Sequence, residues 1–165
     1  MNHIFNDLEG LRIAAEMERR GEAFYRSAAK LSKNAEAIAM LQSLAEDERN
    51  HLLEFQRLYD MASARREEGD SYGDEVNAYL SAVAADIVFP GGLMEFRSTG
   101  FDSIEAVLAY AIASEKDSIL FYSELSQHAS DPEARDMFLE IVRQEKAHLH
   151  LLCRKLHGLE SEEEA

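Results

Sequence analysis

Apolar positions recur at helical spacing along most of the chain. Leu8, Leu11, Ile13, Ala15, Met17, Phe24, Ala28 and Leu31 follow the three-and-four rhythm that gathers side chains on one helix face. Asn6 with Glu9 three residues on makes a capping-box-like start, which predicts a helix over about 7–31. Ser32-Lys33-Asn34 reads as a short loop, and Asn34 as the next cap. Ile38, Leu41, Leu44, Leu52, Phe55 and Leu58 then carry a second helix over 35–66. The polar run 67–73 ends it. Glu75 to Ile87 reads as a short helix, which Phe89-Pro90-Gly91-Gly92 breaks. Asp102, with Glu105 three residues on, predicts the cap of a third long helix reaching Gln127 through Ile104, Val107, Leu108, Ala111, Ile112, Ile119, Leu120 and Leu125. Asp131-Pro132 is a cap followed by proline at the first helical position; it predicts a fourth helix to His157, with Gly158 as the C-cap residue and 161–165 as a solvated acidic tail.

Short loops within each helix pair and a connection over 67–101 between the pairs predict an all-α fold. It is a four-helix bundle with one long crossover that carries a short helix. A connection of that length is long enough to span a bundle about 25 residues tall at 1.5 Å per residue. Residues 1–160 are expected to form a single domain, with halves over about 7–66 and 102–157.

Composition agrees with helix: Pro occurs 2 times and Gly 8 times, while 46% of residues are hydrophobic and 30% charged, as in a soluble globular chain. The formal net charge of −15 argues against nucleic acid or an anionic membrane as partner, since both need clustered Lys and Arg. Cations are the natural alternative to a merely solvated acidic surface. Cys153 is the sole cysteine, which excludes an intrachain disulfide, a four-cysteine zinc site and a rubredoxin-type iron centre in this sequence. A reducing compartment fits. The first residues lack a basic stretch followed by an apolar one, no apolar run approaches membrane-spanning length, and a cytoplasmic location is expected.

The chemistry lies in a repeat. Glu18 and Glu115, Phe24-Tyr25 and Phe121-Tyr122, and the Glu-x-x-His pairs Glu48/His51 and Glu145/His148 all stand 97 residues apart. One Glu-x-x-His pair is weak evidence in a chain this rich in glutamate; the whole pattern at one offset marks an internal two-fold repeat. Glu and His three apart share a helix face, so both reach one ion. Counted from the expected caps, all four glutamates fall near mid-height of helices of similar length. Four glutamates and two histidines can therefore converge on one core layer. Buried carboxylates need partners or must take up protons. No matching set of Lys or Arg stands at that height, since Arg19 and Lys116 project about 100° away from the glutamates they follow. Two divalent ions would balance four carboxylates, with two imidazoles as further ligands. Oxygen and nitrogen donors without thiolate suit Fe or Mn, and Zn is not excluded.

The segments 13–25, 44–51, 113–122 and 144–148 resemble the rubrerythrin family of ferritin-like proteins, and the resemblance runs over roughly 10–155. It implies a ferritin-like bundle with Glu18, Glu48, His51, Glu115, Glu145 and His148 as ligands to two iron ions, and with Glu48 and Glu145 as bridging carboxylates. The implied role is in oxidative stress: reduction of hydrogen peroxide or dioxygen, with electrons from an external rubredoxin or flavoprotein and the chain working as a homodimer. The sequence departs from the family twice. It carries no rubredoxin-like four-cysteine domain, and Ser118 stands where rubrerythrins have an extra glutamate associated with iron movement during peroxide reduction. Ferrous-ion oxidation and sequestration, and a non-enzymatic metal-binding bundle, are therefore the alternative readings.

Tyr25 and Tyr122 lie two turns beyond Glu18 and Glu115 on the same faces. Either they donate to carboxylates near the metals, with a part in catalysis beside the glutamates, or they are core aromatics whose hydroxyls find any polar partner. Glu22, whose repeat mate is Ile119, is expected to face solvent or pair helices rather than bind metal. His3, His128, His150 and His157 are expected at the surface, and Cys153 as a small buried apolar group.

Overall fold

The computed structural model describes residues 4–65, 69–88 and 103–163. It contains α1 (Asp7–Leu31), α2 (Ala35–Arg65), α3 (Asp74–Val88), α4 (Ile104–His128) and α5 (Pro132–Glu163). The described residues are otherwise turns and coil, so the fold is all-α, with four long helices and a short one in the crossover.

The helix starts are built as the polar pattern requires, with one shift. Glu9 N donates to Asn6 Oδ1 at 2.8 Å and Ala37 N to Asn34 Oδ1 at 2.9 Å. Asp131 Oδ1 accepts from Glu133 N at 3.2 Å. The cap of α4 is Ser103 rather than Asp102: Ser103 Oγ accepts from Ala106 N at 3.2 Å, and the helix begins at Ile104. Asp102 itself lies outside the described residues. Ser103 stands 97 residues after Asn6, as Asp131 does after Asn34, so the repeat extends to the caps. Gly158 does not end α5. The helix runs through it to Glu163, because glycine merely weakens a helix and the neighbours here are good helix formers.

The apolar side chains divide into two clusters. One joins Phe5, Leu11 and Ile13 with Phe55 and Leu58, Leu80 and Ala84, Phe121 and Leu125, and Phe138 and Ile141. The other joins Phe24, Ala28, Leu41, Leu44, Leu108, Ala111 and Leu152. The start of α1 thus shares one end of the bundle with the finish of α2 and of α4 and the start of α5. That arrangement makes α1 antiparallel to both α2 and α4. It also puts the start of α4 at the opposite end from the finish of α2, which is why the connection must be long.

The crossover is stitched to the start of α1. Phe5 N donates to Asn77 Oδ1 at 2.9 Å, and Tyr72 N to Phe5 O at 3.0 Å. The buried carboxylate of Asp7 accepts from Tyr72 Oη (2.7 Å), Ser130 N (3.0 Å) and Asp131 N (2.7 Å), tying α1, the crossover and the α4–α5 turn together. Gly73, at φ +94°, turns the chain into α3 with a conformation that side-chain-bearing residues rarely adopt. Leu31 and Leu120, counted with the apolar faces above, are 67% and 50% exposed and lie outside the core. No helix among the described residues is long and apolar enough to cross a membrane.

Candidate metal centre

Glu18 on α1, Glu48 and His51 on α2, Glu115 on α4, and Glu145 and His148 on α5 are all buried, none more than 6% exposed. They form the layer between the two apolar clusters. Counted from the observed caps, Glu18 and Glu115 each lie 12 residues in, and Glu48 and Glu145 each lie 14. Antiparallel packing brings these heights together.

Within the layer, ligand-capable atoms form two overlapping groups. Glu18, Glu48, His51 and Glu145 can be chosen with all four atoms within 4.8 Å of one another, and so can Glu48, Glu115, Glu145 and His148. Glu48 and Glu145 belong to both. His51 Nδ1 lies 3.3 Å from Glu18 Oε2 and 2.9 Å from Glu145 Oε1. His148 Nδ1 lies 3.4 Å from Glu48 Oε1 and 3.6 Å from Glu145 Oε2. The two imidazoles face each other with ring centroids 5.8 Å apart.

Both tyrosines reach the layer, each across to the other half of the repeat. Tyr25 Oη donates to Glu115 Oε1 at 2.5 Å, and Tyr122 Oη donates to Glu18 Oε1. Burial pushes both phenols well above their usual range, followed by the charges of Glu115 and Glu48 at Tyr25 and of Glu18 and Glu145 at Tyr122. They are therefore held as donors. Tyr122 packs against Phe55 and Phe138, at centroid distances of 5.2 and 6.2 Å.

The layer is under-satisfied as it stands. Glu48 Oε1, both oxygens of Glu145 and His148 Nδ1 are buried without a hydrogen-bond partner, and Glu145 Oε1 sits close to His51 Nδ1 without hydrogen-bond alignment. Burial, then the charges of Glu145, Glu18 and Glu115, hold Glu48 well above the usual carboxylate range. Burial, then the charge of Glu145, does the same for Glu115. Burial opposes a charge on His51, but its contacts with Glu145 and Glu18 outweigh that and raise its pKa to about 11. Glu48, Glu115 and His51 are thus biased toward their protonated forms. Orphaned oxygens and a nitrogen aimed into one buried space are the donor set that hard or borderline divalent ions take.

Three supporting residues carry signals that the sequence reading passed over. A Cβ on Gly21 would stand 2.5 Å from Glu48 Oε2, so the bare backbone there makes room for that carboxylate. Its repeat mate is Ser118, the family's extra-glutamate position, and that pairing was the available clue. Asp47 Oδ2 lies 3.1 Å from His148 Nε2, and Gln144 Oε1 lies 2.9 Å from His51 Nε2. These two immediately precede the paired glutamates and are also 97 residues apart.

Other expectations divide. Glu22 pairs helices, with Arg26 Nε at 2.8 Å and an Arg49 guanidinium nitrogen at 3.8 Å. His150 and His157 are exposed, while His3 lies outside the described residues. His128 is half-buried rather than at the surface, held 3.2 Å from Glu124 and against the Tyr72 ring. Cys153 is also only half-buried.

The comparisons agree with this architecture. The family model for rubrerythrin matches residues 106–165, which hold Glu115, Glu145 and His148. A crystal structure from Thermotoga maritima, of a protein assigned as a ferritin-like diiron-carboxylate protein, is similar over 95% of this chain and 98% of its own, at 28% identity and a TM-score of 0.76. No curated protein matches. The fold is ferritin-like, and the resemblance to rubrerythrins read from the residues is borne out.

Proposed function

We propose that the chain is a di-iron oxidoreductase that reduces hydrogen peroxide or dioxygen with electrons from an external donor. The observation that carries this reading is the pair of overlapping Glu/His groups sharing Glu48 and Glu145. Glu18 and His51 would hold one ion, Glu115 and His148 the other, and Glu48 and Glu145 would bridge them. Mn or Zn would fit the same donors. Two ferrous ions held there would supply Lewis acidity and two electrons, and reduction of one peroxide to two waters consumes two electrons and two protons.

The chain's own residues supply position, dryness and protons. Tyr25 and Tyr122 hold Glu115 and Glu18 in fixed orientations from across the repeat. Phe55 and Phe138 close one side of the layer against water. Glu48, Glu115 and His51, each biased toward its protonated form when no cation is present, give up protons as cations enter. Among the described residues no second redox group stands beside the layer, so a rubredoxin or flavoprotein is the proposed donor, and a cytoplasmic homodimer the proposed setting.

Ferrous-ion oxidation and storage is the competing reading. The net charge of −15 and Ser118 favour it. Anaerobic stopped-flow spectroscopy of the reduced, iron-loaded chain separates the two. The enzyme reading predicts oxidation by peroxide at a catalytic rate and repeated turnover when a reductant is supplied. Oxidation by dioxygen with iron accumulating beyond two ions per chain would favour storage, and zinc content with no turnover would overturn both.

A further inference from the structure

The Glu/His layer is pseudo-symmetric, but what stands behind its two histidines is not. His148 Nε2 meets the carboxylate of Asp47 at 3.1 Å, while His51 Nε2 meets the side-chain amide of Gln144 at 2.9 Å. The roles in both contacts can be assigned. An ionised carboxylate only accepts, so His148 Nε2 carries the hydrogen. Gln144 Nε2 donates to Glu140 Oε1 at 2.8 Å, which turns the amide carbonyl toward His51, so His51 Nε2 is a donor too. Glu140 is held in turn by Arg143, at 2.6 Å. Each imidazole therefore presents its Nδ1 to the carboxylate layer, as a lone pair once an entering cation has displaced any proton there.

An imidazole whose N–H faces a carboxylate is a stronger electron donor than one whose N–H faces an amide, because the negative charge stabilises positive charge drawn onto the ring. We infer that Asp47 and Gln144 are positioning residues that make the two cation positions unequal, the one at His148 binding first and more tightly than the one at His51. This rests on the reading of the layer as a dimetal site. The Asp47 side chain is 45% exposed, which screens its charge. The expected difference therefore lies at the lower end, about tenfold, of what partners behind a ligand contribute. Gly21 against Ser118 and Phe55 against Leu152 show the same departure from symmetry at other repeat-related positions around the layer.

Titration of the metal-free chain with cobalt(II) against a competing chelator tests the inference, read by the visible spectrum and by stepwise constants. The wild type should bind two ions in resolved steps. Asp47→Asn keeps the acceptor and removes the charge; it should weaken the first step about tenfold and bring the two steps together. Gln144→Glu, made in a Glu140→Gln background so that the new carboxylate keeps a donor, should strengthen the second step and also bring the steps together. All three changes combined should separate the steps again. Melting of the metal-free variants near the wild-type temperature shows that the effect is on binding. A single unresolved step in the wild type, or equal weakening of both steps by Asp47→Asn, would overturn the inference and leave the dimetal reading standing. No cobalt bound at all would overturn both.

Discussion

Tyr25 and Glu115, 90 residues apart in sequence, meet in a 2.5 Å hydrogen bond in which the phenol donates to the carboxylate. The contact runs from the first half of the repeat to the second, and Tyr122 returns it to Glu18. Replacing Tyr25 by Phe leaves a buried carboxyl short of one partner. The metal-free chain should lose about 1–3 kcal/mol in urea unfolding. Freed from its anchor, Glu115 should also bind metal about tenfold more weakly in a chelator competition. An unchanged metal affinity would reduce Tyr25 to a packing residue.

Gly21 offers a sharper probe of Glu48. Alanine there favours helix by about 1 kcal/mol but sets a Cβ 2.5 Å from Glu48 Oε2. The carboxylate is the end of a flexible side chain and can swing away, so the metal-free chain should unfold within about 1 kcal/mol of wild type. A bridging carboxylate that has swung away no longer serves either ion. Gly21→Ala should therefore lower metal content well below two per chain, as measured by elemental analysis. Full retention of metal would show that Glu48 does not bridge.

The protons held by the layer make stability depend on pH. Burial, followed by neighbouring carboxylate charges, raises Glu48 and Glu115, and contacts with Glu145 and Glu18 raise His51 against its burial to about 11. Groups that hold protons more tightly when folded stabilise the chain fully below their unfolded pKa and lose that contribution as pH rises toward the folded value. For the two glutamates the loss begins above the usual carboxylate value of 4.5, and for His51 above 6.5. The melting temperature of the chelator-treated chain should therefore fall from about pH 5 to about pH 8, and Glu48→Gln should flatten the slope. Metal binding displaces the same protons, so affinity should rise with pH, by about tenfold per pH unit for each proton released. A metal-free melting temperature that climbs over this range would contradict the protonation pattern.

Asp7 separates fold from site. Its carboxylate accepts from Tyr72, Ser130 and Asp131, where three segments meet at the bundle end. Asp7→Ala removes the acceptor of three part-buried donors and should destabilise the chain by about 1–3 kcal/mol in urea unfolding. It lies 11 residues before Glu18, about 16 Å along α1, so metal stoichiometry at low temperature should be unchanged. Lost stoichiometry in a chain that remains folded would mean that the layer depends on the bundle end.

The bundle was legible because its determinants are local and repeated. The spacing of Leu11, Phe24, Leu41, Phe55 and Leu108 and the caps Asn6, Asn34 and Asp131 appear in the structure as they read along the chain. The layer was legible because the Glu/His pattern recurs at one offset and places its members at one height. Where sequence and structure differ, the cause is competition between adjacent signals. Asp102 and Ser103 are both good caps, and only the geometry of the turn selects Ser103. Gly158 looked like a stop, but a glycine within a run of helix formers is tolerated. Asp47, Gln144 and Gly21 were harder to see. A polar residue behind a histidine and a missing side chain beside a carboxylate acquire meaning only when two helices are docked.

The central claim is that Glu18, Glu48, His51, Glu115, Glu145 and His148 form one dimetal centre with Glu48 and Glu145 shared. The most direct test is elemental analysis of the chain purified without added metal, beside Glu145→Ala. Two iron ions per wild-type chain, and loss of both in a Glu145→Ala chain that still melts cooperatively, is the predicted result. A single ion per chain, or two ions retained after Glu145→Ala, would contradict it.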